Sequence, residues 1–150
     1  MRIIAGLLLI VLLALGVVAW VRWDAAGQPH EIVPPAGATA WRPEGPVTKN
    51  ERDAGDRAAI IGMWLRTDRG DAHVRIYEMA PDASWLQARK LVATQLDHWE
   101  QIGDCAEPPL ALLLECAWRE PTRWWPREVQ LAMLRQPGRS ALIIGSGPAA

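Results

Sequence analysis

The chain predicts an α+β protein, with an N-terminal transmembrane helix followed by a ββαβββ antiparallel sheet carrying one helix on one face. Three observations support this: an uncharged apolar run at residues 3–21, a proline-rich stretch behind it, and, from residue 57, short alternating runs broken by one helical period. These divide the chain into an anchor at 1–23, a linker at 24–56 and an α+β domain at 57–150.

The run IIAGLLLIVLLALGVVAWV, residues 3–21, has no charge and no proline. At about 1.5 Å per residue, a helix of that length crosses a bilayer core of roughly 30 Å. Trp20 and Trp23 flank its end, where an indole keeps its ring among headgroups and its N–H wet. A cleaved signal peptide is the alternative, since VVA at 17–19 offers small residues and Arg2 a thin basic region. The run is, however, longer than the roughly 7–15 apolar residues such signals use. Arg2 and the amino terminus favour an inside start, against Arg22 on the far flank. Both readings export residues 24–150.

Residues 24–50 hold five prolines and three glycines and show no apolar period. Such a stretch reads as an extended spacer, reaching roughly 80 Å at about 3.1 Å per residue. Trp41 is the one residue in it suited to docking back.

From residue 57, RAAIIGMWLRT and HVRIYEM read as two strands of a hairpin around DRGD. PDASWLQARKLVATQLDHWEQIG reads as a helix, with Ser84 and Gln87 as a capping box and Gly103 as the stop. Trp85, Ala88, Val92, Leu96 and Trp99 recur at three and four residues and form its buried stripe. LALLLECAW, REVQLAML and ALIIGS read as three further strands, and Pro-Gly within QPGR suits a type II turn.

Alternation then sorts the strands into two faces. Ile61, Met63, Leu65, Val74, Ile76, Leu112, Leu114, Cys116, Trp118, Val129, Leu131 and Met133 would lie under the helix. Each such burial contributes roughly 1.5–3 kcal/mol before entropy is counted. The opposite face would carry Trp64, Arg66, Arg75, Tyr77, Glu115, Arg119, Glu128 and Gln130, with nothing predicted to cover it. Aromatic rings and planar guanidinium groups suit such a face to a partner. A solvated face with arginines lying over rings is the plainer alternative, and a one-residue slip in register would exchange the two faces.

PTRWWPRE, residues 121–128, falls between two predicted strands. Because neighbours on a strand point opposite ways, Trp124 and Trp125 are expected to part: one caps the core, the other faces solvent or a partner.

Cys105 and Cys116 are the only cysteines, and their spacing suits neither a redox CxxC nor a zinc knuckle. In an exported domain they are expected to form one disulfide. No metal or other cofactor is predicted. His98 follows Asp97, but helical neighbours point about 100° apart and would not form a dyad. GSG at 145–147 looks like part of a glycine-rich loop, yet no helix follows it to complete a phosphate site. A net charge of −1 and the lack of a basic run argue against nucleic acid. Asp97, Glu100, Asp104 and Glu107 form one charge cluster and Arg119, Arg123, Arg127, Arg135 and Arg139 another, expected to meet within the fold; the alternative is that each addresses a partner, the arginines near anionic lipid or envelope polymer. Arginine outnumbers lysine fourteen to two, a usage associated with GC-rich bacterial genomes.

The functional expectation is a non-catalytic binding or assembly module of the bacterial envelope. It would be anchored in the cytoplasmic membrane through residues 3–21 and address an envelope protein or polymer. The binding residues would be Trp64, Arg66, Arg75, Tyr77, Arg119, Trp124, Trp125 and Gln130. The alternatives are a small exported enzyme drawing on Asp97, His98 or Glu115, and a cleaved, secreted effector or inhibitor.

Overall fold

The computed structural model of the protein describes residues 2–42, 46–65 and 72–149. The first element, α1 (Arg2–Gly27), is apolar on every side and exposed over residues 4–21, and its last turns carry Arg22, Asp24 and the buried Ala26. By length and composition, its residues Ile4–Gly27 form the one described helix able to cross a membrane.

Behind it come β1 (Thr39–Ala40), α2 (Lys49–Leu65), β2 (His73–Met79), α3 (Trp85–Gln95), β3 (Glu100–Ile102), β4 (Leu113–Arg119), β5 (Arg127–Gln136) and β6 (Arg139–Pro148). The strands form one sheet in the order β1-β2-β6-β5-β4-β3, and every neighbouring pair is antiparallel. The α+β class and the antiparallel sheet are as expected, whereas the order of elements differs.

The main difference is α2. Residues 57–65, expected as the first strand, are the second half of a helix that begins at Lys49. Thr48 and Glu51 cap it reciprocally: the Glu51 N–H donates to the Thr48 hydroxyl at 3.3 Å, and the Thr48 N–H to the Glu51 carboxylate at 2.6 Å. Ala54, Ala58, Ile61 and Leu65 then repeat at helical spacing and turn inward. Gly145 and Gly147 of β6 allow the helix its close approach. A methyl group on Gly145 would collide with Ile61 and stand 2.9 Å from Leu65 Cδ1. GSG is therefore a packing seat inside a strand rather than a phosphate loop.

The expected bare face is thus half covered, because α2 crosses β2 and β6 and reaches β5. Ile61 and Leu65 pack there on Ala132 and Ile143, with Val74 and Ile76 alongside. On the other face Trp85, Ala88, Val92 and Leu96 of α3 and its end meet Leu114, Cys116, Trp118, Val129, Leu131 and Met133. For β4 and β5 the inward set is the one alternation selects. For β2 it is reversed: Tyr77 joins the α3 core, and Val74 and Ile76 face α2. On the α3 side of β2 only Tyr77 is buried while His73 and Arg75 stay exposed, so the polar residues of this strand do not mark its uncovered side.

Smaller features follow local chemistry. The Ser84 hydroxyl accepts from the Gln87 N–H at 3.3 Å and starts α3 as expected. The helix stops at Gln95, short of Gly103, and Glu100–Ile102 pairs with β4 as an edge strand. Gly138 takes φ 82°, the sign a type II turn needs in its third position. The Cys105–Cys116 disulfide is present and ties the loop after β3 to β4.

The proline-rich segment does more than span a distance. The His30 N–H donates to the Ser146 hydroxyl at 2.7 Å, and Gln95 bonds both backbone groups of Val33. Ile32 packs on the α3 core, β1 pairs with β2, and Trp41 docks under the Arg139 guanidinium, 4.3 Å from its ring centre.

Candidate functional site

At one end of the sheet, the close of α1 meets the β4–β5 connection. Trp125 sits between Pro126 and Trp124 with φ 52°, a left-handed conformation that turns the chain sharply. Its ring meets Trp23 edge to face, with centroids 5.0 Å apart and planes at 88°. The Trp124 ring lies 5.9 Å from that of Trp125 and is 68% exposed. The two rings do not part: they meet edge to face, Trp124 facing outward and Trp125 closing on the helix from the N-terminus rather than on the core.

Electrostatics reinforce the same junction. Glu120 accepts from Arg127 at 3.3 Å and lies 3.6 Å from Arg22 of α1. Burial opposes the charge on Glu120, but hydrogen bonding and attraction from Arg127, together with Arg22, hold its carboxyl below the usual value. Arg127 also lies over the Trp99 ring at 5.6 Å, and His30 leans on that ring at 5.3 Å. Ala26 is buried, so the last turn of α1 belongs to the domain's packing.

A second region is the part of the α2-side face that the helix leaves open. Arg57 of α2 forms an ion pair with Glu115 of β4, which fixes the direction of that side of the helix. Trp64, seven residues later and so on the same stripe, is 66% exposed. Beyond it a groove of about 280 Å³ is lined by Ile61, Ile102, Asp104, Glu115, Ala117 and Gln130. At its margin Arg119 and Gln130 both bond to Glu128.

The eight predicted binding residues therefore do not share one face. Trp64 stands on α2 beside the open half-face, where Arg119 and Gln130 also lie. Tyr77 is buried under α3, and Arg75 is exposed on that same side of β2. Trp124 and Trp125 belong to the helix junction, and Arg66 lies outside the described residues. Sequence reasoning misses Arg22, Trp23 and Glu120 as members of the junction.

The chemistry available is limited. A cleft of about 180 Å³ is lined by His30, His73, Arg75, Tyr77 and Ser146, among others. Arg75 donates to His73 Nε2 at 3.1 Å, which occupies the nitrogen a base would use. The Ser146 hydroxyl is committed to the His30 backbone. Asp97 and His98 do meet, at 3.1 Å, contrary to the helical argument, because α3 has already ended and His98 takes φ 65°. Both side chains are more than four-fifths exposed, and Glu115 is held by Arg57. No group of three or more metal-ligating side chains forms among the described residues. Of the two charge clusters, Glu107 meets Arg135, and Glu100 faces Arg119 in register. Most of the other arginine partners come from outside the acidic cluster.

Comparison with protein-family models, curated proteins and solved structures finds no match to this chain.

Proposed function

We propose that the chain is a single-pass membrane protein that presents a disulfide-closed α+β domain on the outer side of the bacterial cytoplasmic membrane. In this reading the domain is a non-catalytic binding or assembly module of the envelope. The observation that carries it is the junction: α1, able to cross a membrane, ends directly on the domain through Trp23, Arg22 and Ala26. A domain seated in this way has a fixed orientation to the bilayer, so its open half-face points in a defined direction. The disulfide supports an oxidising compartment.

The partner surface in this proposal is the groove between α2 and β3. It combines the apolar side chains of Ile61 and exposed Ile102 with the Asp104 carboxylate and the Gln130 amide, while Glu115 is already paired with Arg57, a mixed lining suited to a protein segment. Site-specific photo-crosslinking in intact cells tests it. A photoreactive residue at Ile102 should yield a discrete adduct, and one at the similarly exposed Leu86 on α3 should not. Equal yields from both positions would remove the groove from the account.

A further inference from the structure

We propose that the 121–127 loop is a lipid contact, with the Trp124 indole seated among the headgroups and the Arg123 guanidinium on lipid phosphate. This rests on the reading of α1 as a spanning helix. It adds that the folded domain itself touches the bilayer, independently of its anchor.

The argument begins with position. The apolar run ends at Val21, and Trp23 follows about 3 Å further along the helix axis. The headgroup layer of one leaflet is roughly 5–8 Å deep, so Trp23 lies within it. Two ring contacts, of 5.0 Å and 5.9 Å, then lead from Trp23 through Trp125 to Trp124. An indole in that layer keeps its ring in the apolar margin and its N–H wet. Trp20, on the helix itself, is as exposed as Trp124.

The loop is also built to hold its shape. Pro121 and Pro126 fix two backbone angles. The Thr122 N–H donates to the Glu120 carbonyl at 2.8 Å, and the Trp124 N–H to the Thr122 hydroxyl at 3.2 Å. The Ala149 N–H donates to the Pro126 carbonyl at 2.9 Å. A wedge already ordered loses little conformational freedom when it enters the interface. Arg123 is exposed and has no carboxylate partner among the described residues, whereas neighbouring Arg119 and Arg127 each have one. An anionic headgroup is the ligand its position offers.

The test uses the full chain labelled with 5-fluorotryptophan, in phosphatidylcholine–phosphatidylglycerol nanodiscs. Its nine tryptophan resonances are assigned at positions 20, 64 and 124 by single Trp→Phe replacements. A lipid bearing a nitroxide near its headgroup should broaden the Trp124 and Trp20 signals several-fold more than that of Trp64. A gadolinium chelate in the water should do the reverse. If Trp124 follows Trp64 while Trp20 follows the lipid, the loop contact is overturned and the span survives. If Trp20 and Trp124 both follow the water, the spanning reading falls as well. If Trp124 is shielded from both probes, it packs against protein, and the lipid assignment is wrong.

Discussion

Trp23 and Trp125, one on the apolar helix and the other a hundred residues later in a loop, meet edge to face at 5.0 Å. This contact converts a tethered domain into a seated one. An aromatic pair of this geometry contributes about 0.5–1.5 kcal/mol beyond the area it buries. Trp125→Ala should leave the sheet folded and free the end of α1. The expected result is faster amide hydrogen exchange over residues 22–27, with far-ultraviolet circular dichroism unchanged. Unaltered exchange there would show that the ring pair does not hold the helix.

Acid should loosen the same junction. Glu120 has its carboxyl held below the ordinary 4.5 by Arg127 and Arg22, against the opposing effect of burial. A lowered folded-state pKa contributes stability that is complete above the unfolded value and lost as pH falls through the folded one. Exchange protection over residues 22–27, taken relative to the intrinsic amide rate at each pH, should therefore fall below about pH 4.5, the ordinary carboxyl value. Glu120→Gln should raise exchange at neutral pH and flatten the acid dependence. A wild-type profile in that variant would contradict the assignment.

The helix α2 reads as a strand for a physical reason. Residues 58–65 are a short apolar run with two adjacent isoleucines, and such a run fits a buried strand or a buried helix equally well. The deciding signal lies upstream, where Thr48 and Glu51 form a capping box that only a helix uses and Ala54, Ala58, Ile61 and Leu65 recur at helical spacing. The inward sides of β4 and β5 are legible because Glu115, Arg119, Glu128 and Gln130 mark their other side. In β2 the order inverts, since α2 makes Val74 and Ile76 inward-facing on a face expected to be bare. The junction is not legible in the sequence at all. It depends on Trp23 and Trp125 meeting across the fold, which no local pattern encodes.

Gly145 tests the place of α2. Its missing side chain leaves room for Ile61 and Leu65. Gly145→Val should destabilise the domain by roughly 1–3 kcal/mol through overpacking, and Ile61→Ala introduced alongside should recover part of that loss. Urea denaturation of the single and double variants measures both. Additive losses would place α2 elsewhere.

The disulfide closes a short loop, with a sequence separation of 11 between its cysteines. Loop-closure entropy predicts a loss of about 2–3 kcal/mol for Cys105→Ser with Cys116→Ser, read as a lower urea midpoint. The Cys105 carbonyl also accepts from Arg89 at 2.8 Å and from the Trp85 indole at 3.4 Å. The start of α3 should therefore lose exchange protection first. Uniform loss over the whole sheet would show that the bond secures the fold as a unit instead.

The central claim is that the folded domain lies outside the membrane its own first helix crosses. Paired C-terminal fusions, one to alkaline phosphatase and the other to green fluorescent protein, ask this directly. The account predicts an active phosphatase and a dark fluorescent fusion, with full-length protein retained in the membrane fraction. A bright fluorescent fusion with inactive phosphatase would place the domain in the cytosol and contradict it.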